Sequence, residues 1–279
     1  MLICLTNLFQ TRNLRTTEPF SSSGCGDLCV THPTPGNVKL GAEYSYLVPI
    51  YSVNNTTFLE ERTHAQSDCS EWRQARKIRL TASNFGLVLG RKSAPNDKML
   101  SGLFGEKTSI NAASLSYGRR NEAKVKNLYL AQYPSSHIHE CGLVVNNDFP
   151  FLGATPDGKL CDNGTSGLLE IKCPYASRNV TIVEACKNPA FFLEDVDEKV
   201  QLKRTHPYYM QVQGQLLITG CSFCDFVVYT PAQSRLFVER IFPDTDFMQT
   251  MLTALSDFFH RYAHPFISNL DKPQNKNAL

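Results

Sequence analysis

The stretch Phe151-Leu152-Gly153-Ala154-Thr155-Pro156-Asp157-Gly158, followed ten residues later by Leu169-Glu170-Ile171-Lys172-Cys173-Pro174, decides how this chain is read. Phe151 to Thr155 and Gly167 to Cys173 are short and strand-like, and Asp157-Gly158 is turn chemistry between them. On a strand, Glu170 and Lys172 project from one face, about 7 Å apart along the chain. Asp157, at the end of the preceding strand, can swing towards Glu170. Two carboxylates and an ammonium converging on one sheet edge suit a hard divalent cation such as Mg²⁺, with water and a phosphate completing its shell. Lys172 would then hold or deprotonate an attacking water and balance the charge that builds on phosphorus. Taken alone the spacing is weak, because a charged surface strand beside a Pro-Asp-Gly turn has the same pattern.

Working outward, Gly142 to Asn146 reads as a further strand, and the three together suggest an antiparallel meander with turns at Asn146-Asn147-Asp148 and Asp157-Gly158. A helix from about Ser116 to Tyr133 precedes them, with Val125, Leu128 and Tyr129 on its inner face and Pro134 closing it. Further upstream, Asp68 or Ser70 can cap a helix ending near Arg79, and Thr81-Ala82-Ser83 opens another from Asn84 to Gly90. Downstream, His206 to Thr219 is a helix stopped by Gly220. Phe223 to Thr230 and Arg235 to Phe242 form a hairpin, and Asp246 to Tyr262 is a closing helix. The alternation predicts an α/β domain with a mixed central sheet flanked by helices.

Residues 1–66 read differently, as a mostly irregular and flexible N-terminal extension in which Tyr44 to Val53, interrupted by Pro49, could form an isolated strand. The expected organisation is therefore an extension over 1–66, a catalytic-type domain over 67–270 and a flexible tail over 271–279. The chain has 279 residues, 42% hydrophobic and 10% aromatic, which is enough to build a core and excludes wholesale disorder. No run approaches the ~20 apolar residues of a membrane span. With 28 Lys and Arg against 26 Asp and Glu, net charge is only +2, so any electrostatic argument must be local. The ten cysteines are scattered, which reads as reduced thiols rather than a disulfide scaffold or a zinc site. Met1-Leu2-Ile3-Cys4-Leu5 lacks a basic flank and a cleavage site, and an intracellular location, nuclear or cytoplasmic, is expected.

Other residues strengthen the acid–lysine reading. Glu122 falls in the first turns of the helix before the meander and offers a third carboxylate, although it equally suits the helix dipole there. Gln211, Gln213 and Gln215 lie on the later helix, where Gln211 and Gln215 share a face by i,i+4 spacing and Gln213 points elsewhere. Between Trp72 and Asn96 there are six basic residues (Arg73, Arg76, Lys77, Arg79, Arg91, Lys92) and no acidic one, the footprint of a phosphate-binding strip or of a solvated basic helix.

In this order, Trp72, Arg76, Thr81-Ala82-Ser83, Glu122, the Phe151–Gly158 stretch, the Leu169–Pro174 strand and Tyr209-Met210-Gln211-Val212-Gln213 resemble the YqaJ-like viral recombinase family, which includes the phage lambda exonuclease and belongs to the PD-(D/E)xK nuclease superfamily. The resemblance spans about residues 70–265. It implies a restriction-endonuclease-like core and a metal-dependent deoxyribonuclease acting on duplex DNA ends, 5′→3′, in recombination, repair or viral and mobile-element DNA processing. By the same resemblance, Glu122, Asp157, Glu170 and the backbone carbonyl of Ile171 would hold two Mg²⁺ or Mn²⁺ ions. Lys172 would orient the water. Gln211 and Gln213 match the Gln-x-Gln pattern, with Gln213 favoured as the supporting catalytic residue. Arg76, Thr81 and Ser83, with Arg79 and Gln211 beside them, would receive DNA and its 5′-phosphate. Relatives of the lambda enzyme form ring-shaped trimers, and a single-strand-annealing protein is an implied partner. Two departures stand out: the 1–66 extension and a longer insertion, Lys187 to Thr205, with Glu194, Asp195, Asp197 and Glu198. Two other readings remain open at this level: an inactive DNA-end-binding module of the same fold, or an iron–sulfur nuclease, for which Cys221 and Cys224 lack a downstream third cysteine.

Overall fold

The computed structural model describes residues 38–105 and 113–270. The early helices are α1 (Leu47–Tyr51), α2 (Thr56–Arg62) and α3 (Ser70–Lys77), followed by the short strand β1 (Leu80–Thr81), α4 (Phe85–Leu89), α5 (Asp97–Phe104) and α6 (Ala113–Gln132). Then come β2 (Ser136–His139), β3 (Leu152–Gly153), β4 (Gly158–Asp162), β5 (Thr165–Lys172) and α7 (Ile182–Cys186). The hairpin β6 (Leu193–Val196) and β7 (Lys199–Leu202) leads into α8 (Pro207–Thr219), β8 (Phe223–Val228) and β9 (Phe237–Ile241). Helix α9 (Thr245–Phe258) runs through a π-helical turn at Phe259–Ala263 into α10 (His264–Leu270). No described helix is long and apolar enough to cross a membrane.

The main sheet has the order β2-β4-β5-β8-β9. Only the central β5/β8 pair is parallel, and its crossover carries α7, the β6–β7 hairpin and α8. Both faces of the sheet are covered. Leu168, Cys224, Phe226 and Val228 pack with α8 residues such as Val212 and Leu216 in the larger core, whereas Leu160, Leu169, Ile171, Phe223 and Val227 pack with Val125 and Tyr129 of α6. That double cover explains why Gly167–Ile171 is a continuous buried run rather than an alternating one. It also sends Glu170 and Lys172, in phase with Leu168, to the α8 side. Helix α8 is bounded as its sequence predicts: the His206 side chain accepts from the Tyr208 N–H at 3.1 Å, Pro207 opens the first turn, and Gly220 closes the last at φ +69°. Gly214 brings α8 against α4, for a Cβ there would meet the Phe85 ring at 2.4 Å.

Several expectations are corrected. Tyr44 to Val53 is a 3₁₀ turn (Ala42–Tyr44) followed by α1, not a strand. Pro49 is tolerated because it lies in the first turn, where its missing N–H has no helical acceptor. Leu47 and Tyr51, four apart, reach the core. The described part of the extension, 38–66, is thus mostly helical rather than irregular; residues 1–37 and the tail 271–279 lie outside the described residues. Gly142 to Asn146 forms only a bridge, Val144 to Ala154, although Leu143, Val144 and Val145 are fully buried. The meander is instead β2, β4 and β5. Gly158 begins β4, and the reversal is made by Asn163 and Gly164 at φ +49° and +80°. The first helix of the domain is preceded by Cys69 with no side-chain cap, so neither Asp68 nor Ser70 occupies the capping position. Part of the Lys187–Thr205 insertion is the β6–β7 hairpin, turned by Asp197 and Glu198 in left-handed conformations.

Candidate active site

Strand β5 delivers Glu170 and Lys172 to the face covered by α8, and three donors converge on Glu170. Its Oε1 accepts from Lys172 Nζ at 2.5 Å and from Gln211 Nε2 at 2.7 Å, and its Oε2 accepts from Gln215 Nε2 at 2.7 Å. The carboxylate is 3% exposed, so this set of partners is what makes its burial tolerable. Lys172 Nζ also donates to Gln211 Oε1 at 3.3 Å and stands 4.3 Å from the centre of the Tyr208 ring. Burial by itself would lower the Lys172 ammonium, but Glu170 and Asp157 outweigh it and hold the group above its ordinary value.

Asp157 joins from the end of the β3–β4 connection. Its N–H donates to the Leu169 carbonyl at 3.0 Å, and its Oδ2 accepts from the Ile171 N–H at 2.7 Å. These bonds fix it beside Glu170 across the β4/β5 ladder, where Gly158 pairs with Leu169. Burial and the neighbouring charge of Glu170, with a contribution from Glu122, push the Asp157 carboxyl up to about 8. Glu122 approaches from α6. Its carboxylate is 38% exposed and bonded to Lys126 Nζ at 2.7 Å, and its charge is felt by both Asp157 and Cys173. Asp157, Glu170, Lys172 and Gln211 are therefore brought together, with Glu122 at the rim and Ile171 in the ladder between them.

Gln213, favoured from the family pattern, lies elsewhere. Fully buried, its Nε2 donates to the Phe242 carbonyl at 2.9 Å and its Oε1 accepts from the Asp244 N–H at 2.9 Å. Two residues turn a helix by about 200°, so Gln213 faces away from the side that Gln211 presents to Glu170. Gln215, on that same side, bonds Glu170 although the Gln-x-Gln pattern gives it no role. Its i,i+4 spacing from Gln211 was the signal for it.

The basic strip divides in the same way. Arg76 donates to Thr155 Oγ1 and Thr81 Oγ1, both at 3.3 Å, and lies 4.1 Å from the centre of the Trp72 ring. Thr81 Oγ1 also meets Ser83 Oγ at 3.4 Å and accepts from Asn84 Nδ2 at 3.0 Å. Trp72 Nε1 donates to Thr155 Oγ1 at 3.2 Å. Burial lowers the Arg76 guanidinium to about 10, and no carboxylate pairs with it among the described residues. Arg79 is a different matter. Its guanidinium donates to the carbonyls of Pro150, Ala75 and Tyr51 at 2.8–2.9 Å and is 4% exposed, so it staples α1 to the domain and presents almost no surface to a ligand. Net charge along the strip could not reveal those three carbonyls. The thiols of Cys221 and Cys224 are buried, and burial pushes both up.

A mixed sheet that presents two acids and a lysine at the ends of two adjacent strands, with a glutamine delivered from the helix that covers them and helices on both faces, is a nuclease fold. The chain belongs to the YqaJ-like viral recombinase domain family, whose model matches residues 71–222. An alkaline exonuclease (LHK-Exo) from Laribacter hongkongensis is similar over 72% of this chain and 95% of its own, at 26% identity and a TM-score of 0.55. The same exonuclease in complex with dAMP gives 25% identity and a TM-score of 0.56 over 71% of this chain and 95% of that one. The SOX protein of KSHV, in an RNA complex, shares the fold at 13% identity and a TM-score of 0.53, over 76% and 74% of the two chains. No curated protein matches the chain by sequence.

Proposed function

We propose that this protein is a metal-dependent deoxyribonuclease that digests duplex DNA from its ends, 5′→3′, through Asp157, Glu170 and Lys172. The observation that carries this reading is the convergence of Lys172, Gln211 and Gln215 on the buried carboxylate of Glu170, beside an Asp157 raised to about 8. Family membership and the likeness to an exonuclease at 26% identity support it.

Among the described residues, no three acidic, His or Cys side chains form a ready cation cage. The donor chemistry nevertheless suits a hard divalent ion. Asp157 is raised by burial and by Glu170 and Glu122, a repulsion that a cation relieves. Asp157, Glu170, Glu122 and the Ile171 carbonyl are the groups that would hold Mg²⁺ or Mn²⁺, two ions by resemblance. When bound, such ions polarise the phosphate and acidify water.

The chain's own residues then have separate tasks. Lys172, raised above its ordinary value, is an ammonium at neutral pH; it donates hydrogen bonds and does not take a proton. Its role is to orient water and to offset charge growing on the phosphate. Gln211 and Gln215 fix the rotamer of Glu170, so that the carboxylate does not collapse wholly onto Lys172. Arg76, with Thr81 and Ser83, is the receptor for the terminal 5′-phosphate, since a partly desolvated guanidinium held by two hydroxyls and an indole, with no carboxylate beside it among the described residues, gains most from a dianion. Arg76 is tied to the acid site through Thr155, two residues before Asp157.

Digestion of end-labelled linear and circular duplexes, with Mg²⁺ and with EDTA, tests the reading. Release of 5′-terminal nucleotides from linear DNA alone, abolished by EDTA, is expected. Cleavage of circles would make the enzyme an endonuclease. End binding without release would make it an inactive module. A trimeric ring and an annealing-protein partner belong to the same proposal and are read by the mass of the protein in solution and by co-purification.

A further inference from the structure

The chain leaving the site on the far side of Lys172 builds a second feature that the acid–lysine chemistry does not use. Tyr175 follows Lys172 by three residues, so its Cα lies within about 11 Å of it. The Tyr175 side chain is 37% exposed despite its size. The Arg178 guanidinium lies 4.0 Å from the centre of its ring and donates to the Tyr175 carbonyl at 2.6 Å, which holds cation and ring together over the 3₁₀ turn Tyr175–Ser177. Tyr117, from α6, meets the Tyr175 ring edge-on, with centroids 5.5 Å apart and planes at 67°. Its hydroxyl is shielded from solvent and has no hydrogen-bond partner among the described residues. Lys124, one turn above Glu122's neighbour Asn121 and exposed, donates to Tyr229 Oη at 2.6 Å on the same side, and its charge and that of Arg178 both act on Tyr117.

This group is continuous with the acid site. Cys173, two residues before Tyr175, feels the charges of Asp157 and Glu122, and Tyr117 feels Cys173. An aromatic face, a guanidinium plane and further cations, within one short step of a site built for phosphate, form the combination that takes up unpaired nucleobases. A buried site can reach a phosphodiester at a duplex end only if the terminal nucleotide leaves its partner, and the freed base loses its stack. A carboxylate-lined cleft offers that base nothing; Tyr175 and Arg178 do.

We infer that Tyr175, Arg178 and Tyr117 form a stacking platform for an unpaired nucleobase of the substrate strand. The inference extends the nuclease reading of the neighbouring site, but it concerns binding and is tested without catalysis. The probe is a fluorescein-labelled single-stranded oligodeoxynucleotide bound by the full chain in EDTA and followed by anisotropy, in parallel with an oligomer of equal length carrying abasic sites. Both have the same phosphates, so only base contacts separate them. Wild type should bind the base-bearing oligomer about tenfold more tightly than the abasic one. Tyr175→Ala should remove most of that difference, Tyr175→Phe should keep it, and Arg178→Ala should reduce both the difference and the salt dependence of binding. Tyr175 is exposed, and an unchanged thermal melt of Tyr175→Ala shows that the fold is intact.

Equal affinity of wild type for the two oligomers overturns the platform. So does a Tyr175→Ala variant with the full base-dependent difference, or a wild-type protein that binds neither oligomer. If the base-dependent difference is present and lost in Tyr175→Ala while Mg²⁺ supports no cleavage of any end, the platform stands and the exonuclease reading falls. If cleavage proceeds but base-bearing and abasic strands bind alike, the reverse holds.

Discussion

Lys172 and Arg76 are both cations drawn out of water beside the Thr155–Asp157 connection, and they are satisfied in opposite ways. Lys172 is locked to a carboxylate, a glutamine and an aromatic ring, and neighbouring acids hold it in its charged form. Arg76 has two hydroxyls and an indole, no acid among the described residues, and a pKa lowered to about 10. Arg79, on the next turn, is the control. It is more deeply buried and is lowered as far, to about 10, but each of its three guanidinium nitrogens donates to a backbone carbonyl. The pattern of partners therefore separates three kinds of buried cation: one committed to a charge cluster, one committed to the fold, and one with binding capacity in reserve.

That distinction can be broken by experiment. Removing the committed cation of the cluster should have the greatest effect: Lys172→Ala is expected to lower kcat on duplex ends by about a thousandfold, read from release of end label, because a preorganised donor at developing charge is lost. A variant with near-wild-type turnover would place Lys172 outside the chemistry. Next comes the cation of the fold. Arg79→Ala strands three carbonyls and should cost about 3 kcal/mol in denaturant unfolding, whereas Arg76→Ala should cost under about 1 kcal/mol. Similar losses in the two variants would erase the contrast.

The third test uses pH. Asp157 has a carboxyl at about 8 in the folded chain against an ordinary 3.8, so between these values the folded state keeps a proton that the unfolded state has lost. Stability attributable to this group is full below about pH 4 and falls as pH rises towards 8. Asp157→Asn does not titrate. In EDTA it should be more stable than wild type at pH 9, by about 2 kcal/mol, and indistinguishable at pH 4. Thermal melts across that range check it; parallel profiles would show that Asp157 is already ionised without a cation. A smaller effect follows at the receptor. Arg76→Ala should slow digestion of 5′-phosphorylated ends about tenfold and of 5′-hydroxyl ends about twofold or less, measured side by side. The smallest concerns the glutamines: Gln213→Leu should lower stability by about 1 kcal/mol with kcat unchanged, whereas Gln211→Leu, which strips a donor from the buried Glu170 carboxylate, should lower kcat as well as stability.

The last pair shows where the sequence was legible. Asp157, Glu170 and Lys172 could be read because they lie on one strand and the turn beside it, where period-two geometry fixes their relation. The α8 boundaries were written in local letters, Pro207 at the start and Gly220 at the end. Gln213 lies off the site because the Gln-x-Gln pattern conflicts with the 3.6-residue period, which groups Gln211 with Gln215. Arg79 reads as a phosphate contact because charge is visible in a sequence and a carbonyl acceptor 71 positions away is not. The helices of residues 38–66 are hidden for a related reason. They are short and contain Pro49, and their apolar face becomes apparent only against partners such as Phe259.

Those partners lie far along the chain. Lys39 N–H donates to Gln249 Oε1 across 210 positions, and Tyr46 meets His260 across 214. Closing a loop of that length costs about 5 kcal/mol of chain entropy before any contact repays it. During synthesis, α1 emerges long before α9 and α10 exist to receive it, while β4, β5 and their hairpin can pair as soon as they appear. The sheet that carries Glu170 is therefore expected to assemble first, and the N-terminal tyrosines to dock last, so that this seam sets the pace at which the whole domain matures.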